Sequence, residues 1–233
     1  MNLSGVGNTF VGLAAGKNNV VSSNSFFGNF AGEMNTTGSG NAFIGTSAGA
    51  ANTTGGQNTF VGNIAGDENV SVLANTFIGY GAGGDNTTAN NNTFVGENAG
   101  GANTTGFSNT FLGQNAGDVN TDADNNTFVG KDAGGANTTG DANTFVGQSA
   151  GDANTFADGN TFVGQDAGGT TTSGGNNSFF GIRGGNFNVT GVGNTCIGNN
   201  TDMSLNNRTN ATAIGDSAVV TASPQAAGWG EIV

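Results

Sequence analysis

One 17-residue unit repeats along almost the whole chain, and no other feature of the sequence limits its fold as strongly. The unit reads N-T-F-[V/I/L]-G-x-x-A-G-x-x-N-T-T-G-x-x. Its thirteen copies begin at Asn8, Asn24, Asn41, Asn58, Asn75, Asn92, Asn109, Asn126, Asn143, Asn160, Asn177, Asn194 and Ala211. Such a strict period is typical of a stack of coils, because one unit cannot bury its apolar residues alone. We predict one repeat domain over residues 1–222 and, in residues 223–233, a cap or the start of a next segment.

Each unit is predicted to form one coil of a parallel β-solenoid. The Asn-Thr-Phe-Val segment is rich in strand formers, and a Gly closes it in every copy, as at Gly62, Gly79 and Gly96. A second Gly and the Asn of Asn-Thr-Thr recur at fixed offsets, and both residue types favour corners. Three short extended segments with three corners would then make one coil. The frequent Gly and the non-helical apolar spacing exclude a helix.

Stacking places equivalent side chains above one another. Asn58, Asn75 and Asn92, with their equivalents, are predicted to form an amide ladder from coil to coil. The Phe residues are predicted to form an aromatic stack, which we call the Phe column: Phe10, Phe26, Phe43, Phe60, Phe77, Phe94, Phe111, Phe128, Phe145, Phe162 and Phe179. Cys196 occupies this column in its own copy, so we expect a buried apolar thiol rather than a reactive one.

The residue after each Phe, usually Val, Ile or Leu, must point to the opposite face of the strand. Phe43 and Ile44 are one such pair. The sequence does not decide which of the two columns lies inside. The outer one would form a long apolar stripe, which soluble monomers rarely leave exposed. We expect a cyclic homo-oligomer to cover it. The alternative is that the second residue turns inward at the Gly corner.

The charge balance and the missing residue types exclude several functions. Sixteen acidic and four basic residues give a formal net charge of −12, which disfavours nucleic acid and anionic membranes as partners. No apolar run approaches the roughly 20 residues of a membrane-spanning helix, so we expect no direct membrane insertion. No signal peptide is visible. With no His and a single Cys, His-based triads and thiolate metal clusters are excluded.

We expect neither an enzyme nor a cofactor. The acids lie at variable turn positions, where solvated side chains explain them better than a glycosidase pair does. Asp118, Asp122 and Asp124 are close in sequence and are weak candidates for calcium ligands. Trp229 is a weak candidate for stacking on a ligand. The repeated Asn-Thr-Thr matches the N-glycosylation sequon, but turn chemistry explains it more simply.

The last copy, residues 211–220, reads A-T-A-I-G-D-S-A-V-V. It resembles the head repeat of trimeric autotransporter adhesins, roughly A-x-A-I-G-x-x-A-x-A. The preceding copies resemble a longer variant with N-T-F-V-G in place of the A-I-G core. Similar arrays occur in bacterial surface proteins and tail-fibre-like proteins. The resemblance covers residues 8 to about 222 and implies a left-handed parallel β-roll, with the apolar strands of three chains around one axis.

The function expected from these features is that of a structural or adhesive rod. It would be the head or shaft of a trimeric bacterial surface fibre or phage tail fibre, located outside the cell, on a cell surface or in a virion tail. Repeated exposed positions would bind a cell-surface glycan or a matrix protein through avidity. One alternative is the subunit of an end-to-end extracellular filament. The other is a monomeric ice-binding solenoid, which requires the Thr column from Thr59 to Thr161 to face outward.

Overall fold

The chain forms two compact units, Met1–Asp122 and Ala123–Val233. The computed structural model describes residues 5–221, so Trp229 and the predicted cap at 223–233 lie outside the described residues. All regular structure in the described residues is β, and none of it is helical. Accordingly, that part of the chain contains no helix able to span a membrane.

The first unit is a parallel stack of three-residue strands, one for each copy of the repeat. Each strand residue pairs with its equivalent in the next copy, as Phe60 does with Phe77. The strands are β1 (Thr9–Val11), β2 (Ser25–Phe27), β3 (Ala42–Ile44), β4 (Thr59–Val61), β5 (Thr76–Ile78), β6 (Thr93–Val95) and β7 (Thr110–Leu112). The repeat period therefore sets the register of the strands directly.

The second unit has the same parallel register, for example between Phe145 and Phe162. Its strands are β8 (Thr127–Val129), β9 (Thr144–Val146), β10 (Thr161–Val163), β11 (Ser178–Phe180), β12 (Thr195–Ile197), β13 (Asp202–Met203), β14 (Thr212–Ile214) and β15 (Val219–Val220). Strand β14 follows β12 in the stack, whereas β13 and β15 form a separate parallel pair. The prediction of an all-β parallel solenoid is confirmed within each unit.

A typical coil contains one strand, where three extended segments were predicted. The coil that starts at Asn58 shows the reason, since four of its residues have positive φ: Gly62 at 147°, Ile64 at 51°, Gly66 at 56° and Ala74 at 57°. The first three lie within five residues directly after the strand, so the chain turns there instead of continuing extended. The Asn of Asn-Thr-Thr lies at a corner as predicted, since the chain bends at Thr53 and Thr54 directly after Asn52, but this corner is made without positive φ.

Close packing explains the second Gly of the repeat. A Cβ atom added to Gly66 would lie 2.8 Å from the ring of Phe60 in the same coil. The Phe side chain therefore occupies the space that any side chain at this corner would need. Because φ of Gly66 is also positive, Gly meets both the steric and the conformational requirement.

The Phe column fills the interior of each unit. From Phe26 to Phe111, and from Phe128 to Phe179, these side chains are completely buried. Successive rings stack with centroids 4.8–4.9 Å apart in the fully buried pairs, for example 4.8 Å between Phe94 and Phe111. This spacing matches the separation of neighbouring strands, so each ring lies directly above the next. The buried Ala of each coil, such as Ala48, completes the apolar interior.

Two buried Asn columns supply the polar part of the interior. Asn41 and Asn52 both donate from Nδ2 to the carbonyl oxygen of Gly55, at 2.8 and 3.0 Å. Asn41 Oδ1 accepts the backbone N–H of Asn58 in the next coil at 3.0 Å, and Asn52 Nδ2 donates to Asn35 Oδ1 at 2.8 Å. The amide ladder thus links side chains to the backbone as well as to each other, and it spans the coil from strand to opposite corner.

Candidate functional surface

The outer face of the strands is the most regular surface of each unit. In β6, Phe94 points inward, whereas Thr93 and Val95 point outward on either side of it. This pattern follows from the alternation of side chains along a strand. Each coil therefore presents one Thr and one apolar residue, and stacking extends them into a Thr column and an apolar column.

The apolar column runs without interruption along both units. Its members are Val11, Phe27, Ile44, Val61, Ile78, Val95 and Leu112 in the first unit, and Val129, Val146, Val163, Phe180, Ile197 and Ile214 in the second. Its side chains range from half-buried, as Val95 is, to exposed, as Ile44 and Leu112 are at 45% and 47% of their full accessibility. This geometry answers a question that the sequence left open, because Phe lies inside and Val, Ile and Leu lie outside.

The Thr column lies beside the apolar column on the same face. Thr93 and Thr110 are exposed, and Thr59 and Thr76 are half-buried. A second set of exposed Thr residues follows the buried Asn of Asn-Thr-Thr at a corner of the coil: Thr37, Thr54, Thr88, Thr105 and Thr139. The strands thus carry hydroxyls at regular intervals, but the second Thr set does not belong to the strand face.

The acids predicted as weak calcium ligands lie in ordinary turns. Asp118 is half-buried and lines a shallow groove with Asp67 and Asp85, whereas Asp122 is exposed. Asp124 donates its backbone N–H to Asp141 Oδ1 at 2.7 Å. Within residues 5–221, no three acidic, His or Cys side chains converge in a metal-binding arrangement. The candidate ligands therefore gain no support from the geometry.

A second shallow groove, of about 390 Å³, lies in the second unit. Burial, followed by the nearby charge of Asp166, raises the pKa of the Asp152 carboxyl above its ordinary value. Asp166 itself faces Arg183, whose Nε lies 3.8 Å from Asp166 Oδ2. The groove lies at the same positions of the repeat as the groove lined by Asp67, and the charged residues at these positions differ from copy to copy.

Cys196 continues the Phe column and is completely buried. Burial, with a smaller effect from the charge of Asp202, raises the pKa of its thiol to about 12. A nucleophilic Cys requires a thiolate at working pH. This Cys is therefore a small apolar residue in the core.

Comparisons with protein-family models, curated proteins and solved structures find no significant match to the chain.

Proposed function

We propose that the chain is a non-enzymatic, self-associating structural segment, the head or shaft of a homotrimeric extracellular fibre. The observation that carries the proposal is the outward apolar column. It extends through every strand from β1 to β7 and again from β8 to β12 and β14.

The apolar column supports self-association because none of its side chains is buried. Its side chains are half-buried at most, and its large members, Phe27 and Phe180, are about 40% exposed. A continuous apolar stripe of this kind marks an interaction surface rather than ordinary solvent-facing structure. Packing against the same column of other copies would bury it, and a closed ring leaves no copy with an open face.

The remaining surface supports an adhesive role for the assembled fibre. Corner residues that vary from copy to copy, such as Asn63, Tyr80, Glu97 and Gln114, are exposed along the stack. Repetition of weak binding groups on one rigid support raises the overall affinity without any strong single site. A cell-surface glycan or a matrix protein is the proposed ligand.

The mass in solution tests the proposal. We expect gel filtration coupled to light scattering to give three times the mass of one 22.8 kDa chain. Changing Ile78→Lys should shift the mass towards one chain, because it puts a charge into the apolar column. Thr88→Lys adds the same charge to the same coil at an exposed corner and should leave the mass of the assembly unchanged.

Other masses would favour other functions. A monomeric wild-type chain would contradict the trimer and leave the apolar column without a partner. Masses that grow with concentration beyond three chains would indicate the end-to-end filament instead.

The outward Thr column favours one second candidate, the ice-binding solenoid. That hypothesis fails if the Thr residues point inward, and Thr93 and Thr110 are exposed beside the apolar column. It applies to a monomer, since assembly through the strand face would cover these hydroxyls. Thermal hysteresis is the direct measurement. A monomer that is active, and that loses activity on Thr93→Lys, would support ice binding, whereas an inactive protein would eliminate it.

A further inference from the structure

Within residues 5–221, the fold separates most N-glycosylation sequons into a buried set and an exposed set. The buried set contains the Asn-Thr-Thr triplets at Asn35, Asn52, Asn86, Asn103 and Asn137 and, at the same position of the repeat, Asn69-Val70-Ser71 and Asn188-Val189-Thr190; all seven Asn side chains are fully inaccessible. Each Asn of the five triplets donates from Nδ2 to the carbonyl oxygen three residues later, at 2.9–3.0 Å. The amide nitrogen that would carry a sugar is therefore held inside the coil.

The exposed set arises where one copy of the repeat meets the next. Four copies end in Asn, which combines with the start of the following copy into a second type of sequon, Asn-x-Thr or Asn-x-Ser. These residues are Asn91, Asn125, Asn176 and Asn210. All four are exposed, and they occupy the last left-handed corner of the coil, with φ from 52° to 61°.

The hydroxyl of each exposed sequon belongs to the Thr column. Thr93, Thr127, Ser178 and Thr212 are the first residues of β6, β8, β11 and β14, and their side chains lie on the outer face. An acceptor must present both its amide and its hydroxyl to a transferase. At these four junctions the corner exposes the amide, and the strand presents the hydroxyl on its outer face, exposed at Thr93 and half-buried at Thr127, Ser178 and Thr212.

We propose that Asn91, Asn125, Asn176 and Asn210 are acceptors for N-linked sugars and that the Asn-Thr-Thr residues of the folded protein are not. The donor is a sugar activated as a glycosyl diphosphate. Asn Nδ2 forms a bond to the anomeric carbon, and the bond from that carbon to the phosphate oxygen breaks. The diphosphate leaves with the electron pair, and the amide releases one proton to a base of the transferase. The proposal concerns the folded single chain, because assembly through the strand face would cover the hydroxyls of the Thr column.

Two sequons near the end of the second unit show that the Asn and the hydroxyl must be considered separately. Asn199 is exposed, but the hydroxyl of its partner Thr201 is buried and donates to the Gly198 carbonyl at 2.9 Å. Exposure of the Asn alone is therefore insufficient, and Asn199 should stay unmodified. Asn207 and its partner Thr209 are both exposed, which makes Asn207 an acceptor outside the column.

The test compares the folded chain with its own peptides. Purified folded Ile78→Lys chain, in which the added charge opposes assembly through the strand face, and a proteolytic digest of it are each incubated with a soluble asparagine N-glycosyltransferase and UDP-glucose. Hexose is then located by peptide mass spectrometry. In the folded protein we expect hexose on the four acceptors and on Asn207, and none on the Asn-Thr-Thr residues. The digest should gain hexose on the buried set as well. Absence of hexose from the four residues in the folded protein, or its presence on the buried set, overturns the proposal.

One substitution checks the role of the Thr column. Thr93→Val removes the sequon hydroxyl and keeps a β-branched strand residue. The folded variant should lose the hexose on Asn91 and retain it on Asn125, Asn176 and Asn210. Equal occupancy of Asn91 in both proteins would show that the sequon is not what directs the transfer, and would overturn the proposal.

Discussion

Residues of the same type contribute unequally to the stability of a coil, because some are enclosed by neighbouring coils and others are not. Phe94 is completely buried between Phe77 and Phe111, whereas Phe156 lies at a corner and is 60% exposed. We expect Phe94→Ala to lower the free energy of unfolding by about 3–5 kcal/mol, since it leaves a cavity in the stack. Phe156→Ala should change it by no more than about 0.5 kcal/mol. Urea unfolding measures both, and equal losses would contradict the assignment of Phe94 to the core.

The left-handed corners contain residues that are poorly suited to them. Ile64 has φ of 51°, a conformation that costs a β-branched residue about 1–2 kcal/mol. Asn98 and Asn115 occupy the equivalent corner in later coils, and Asn tolerates positive φ. Ile64→Asn should therefore raise the free energy of unfolding by about 1 kcal/mol.

A matched substitution isolates the effect of the corner. Val70 is exposed in the same coil, and φ there is not positive. Val70→Asn should leave the free energy of unfolding nearly unchanged, when both variants are measured by urea unfolding. A gain from Val70→Asn as large as that from Ile64→Asn would mean that removing an apolar surface residue, and not relief of strain, raises the stability.

At the scale of the element, the sequence predicts the strand and its register but not the shape of the rest of the coil. Thr-Phe-Val has strong strand propensity, and the period fixes its pairing. The Gly corners were predicted and have positive φ, as at Gly66. The corners at residues such as Ser47, Ile64 and Ala74 were not predicted, because these residues share no side-chain property. Which face lies inside was equally hidden, since Phe and Val are both apolar. Packing decides it, because Gly66 leaves room for the ring of Phe60.

The turns between strands make stability depend on pH. The folded-state pKa of Asp152 is raised by burial and then by the charge of Asp166. The folded chain therefore binds this proton more tightly than the unfolded chain, and ionisation destabilises the fold above the raised pKa. Stability should rise as pH falls from neutrality through that pKa towards the ordinary Asp value, and then level off.

Removing the carboxylate should flatten this dependence. Asp152→Asn is expected to raise the midpoint of thermal unfolding at pH 7 and to reduce its increase towards mildly acidic pH. Ser149→Asn, a neutral change at a corner of the same turn, should leave the slope against pH as it is in the wild type. If the midpoint of thermal unfolding depends on pH as steeply in Asp152→Asn as in the wild type, other acids account for the pH dependence of stability.

For the whole molecule, charge opposes the assembly that the apolar column favours. Each chain carries a formal net charge of −12, so copies repel one another at low ionic strength. Salt screens this repulsion but does not weaken apolar contacts. The fraction of assembled protein should therefore increase between roughly 0.05 and 0.5 M salt, as the screening length falls. Light scattering at fixed protein concentration measures it, and a decrease would show that ion pairs hold the copies together.

The two buried Asn columns also bear on how the protein ages. An Asn side chain turns into Asp when its amide carbon is attacked by the backbone nitrogen of the next residue, a reaction that is fastest before Gly. No Asn in this chain precedes Gly, although Gly is abundant with 45 residues. After Asn52, the nitrogen of Thr53 is also engaged, donating to the Val70 carbonyl at 2.8 Å. The ladder thus protects its own amides from deamidation, and a chain that keeps them avoids placing carboxylates in its core over a long lifetime.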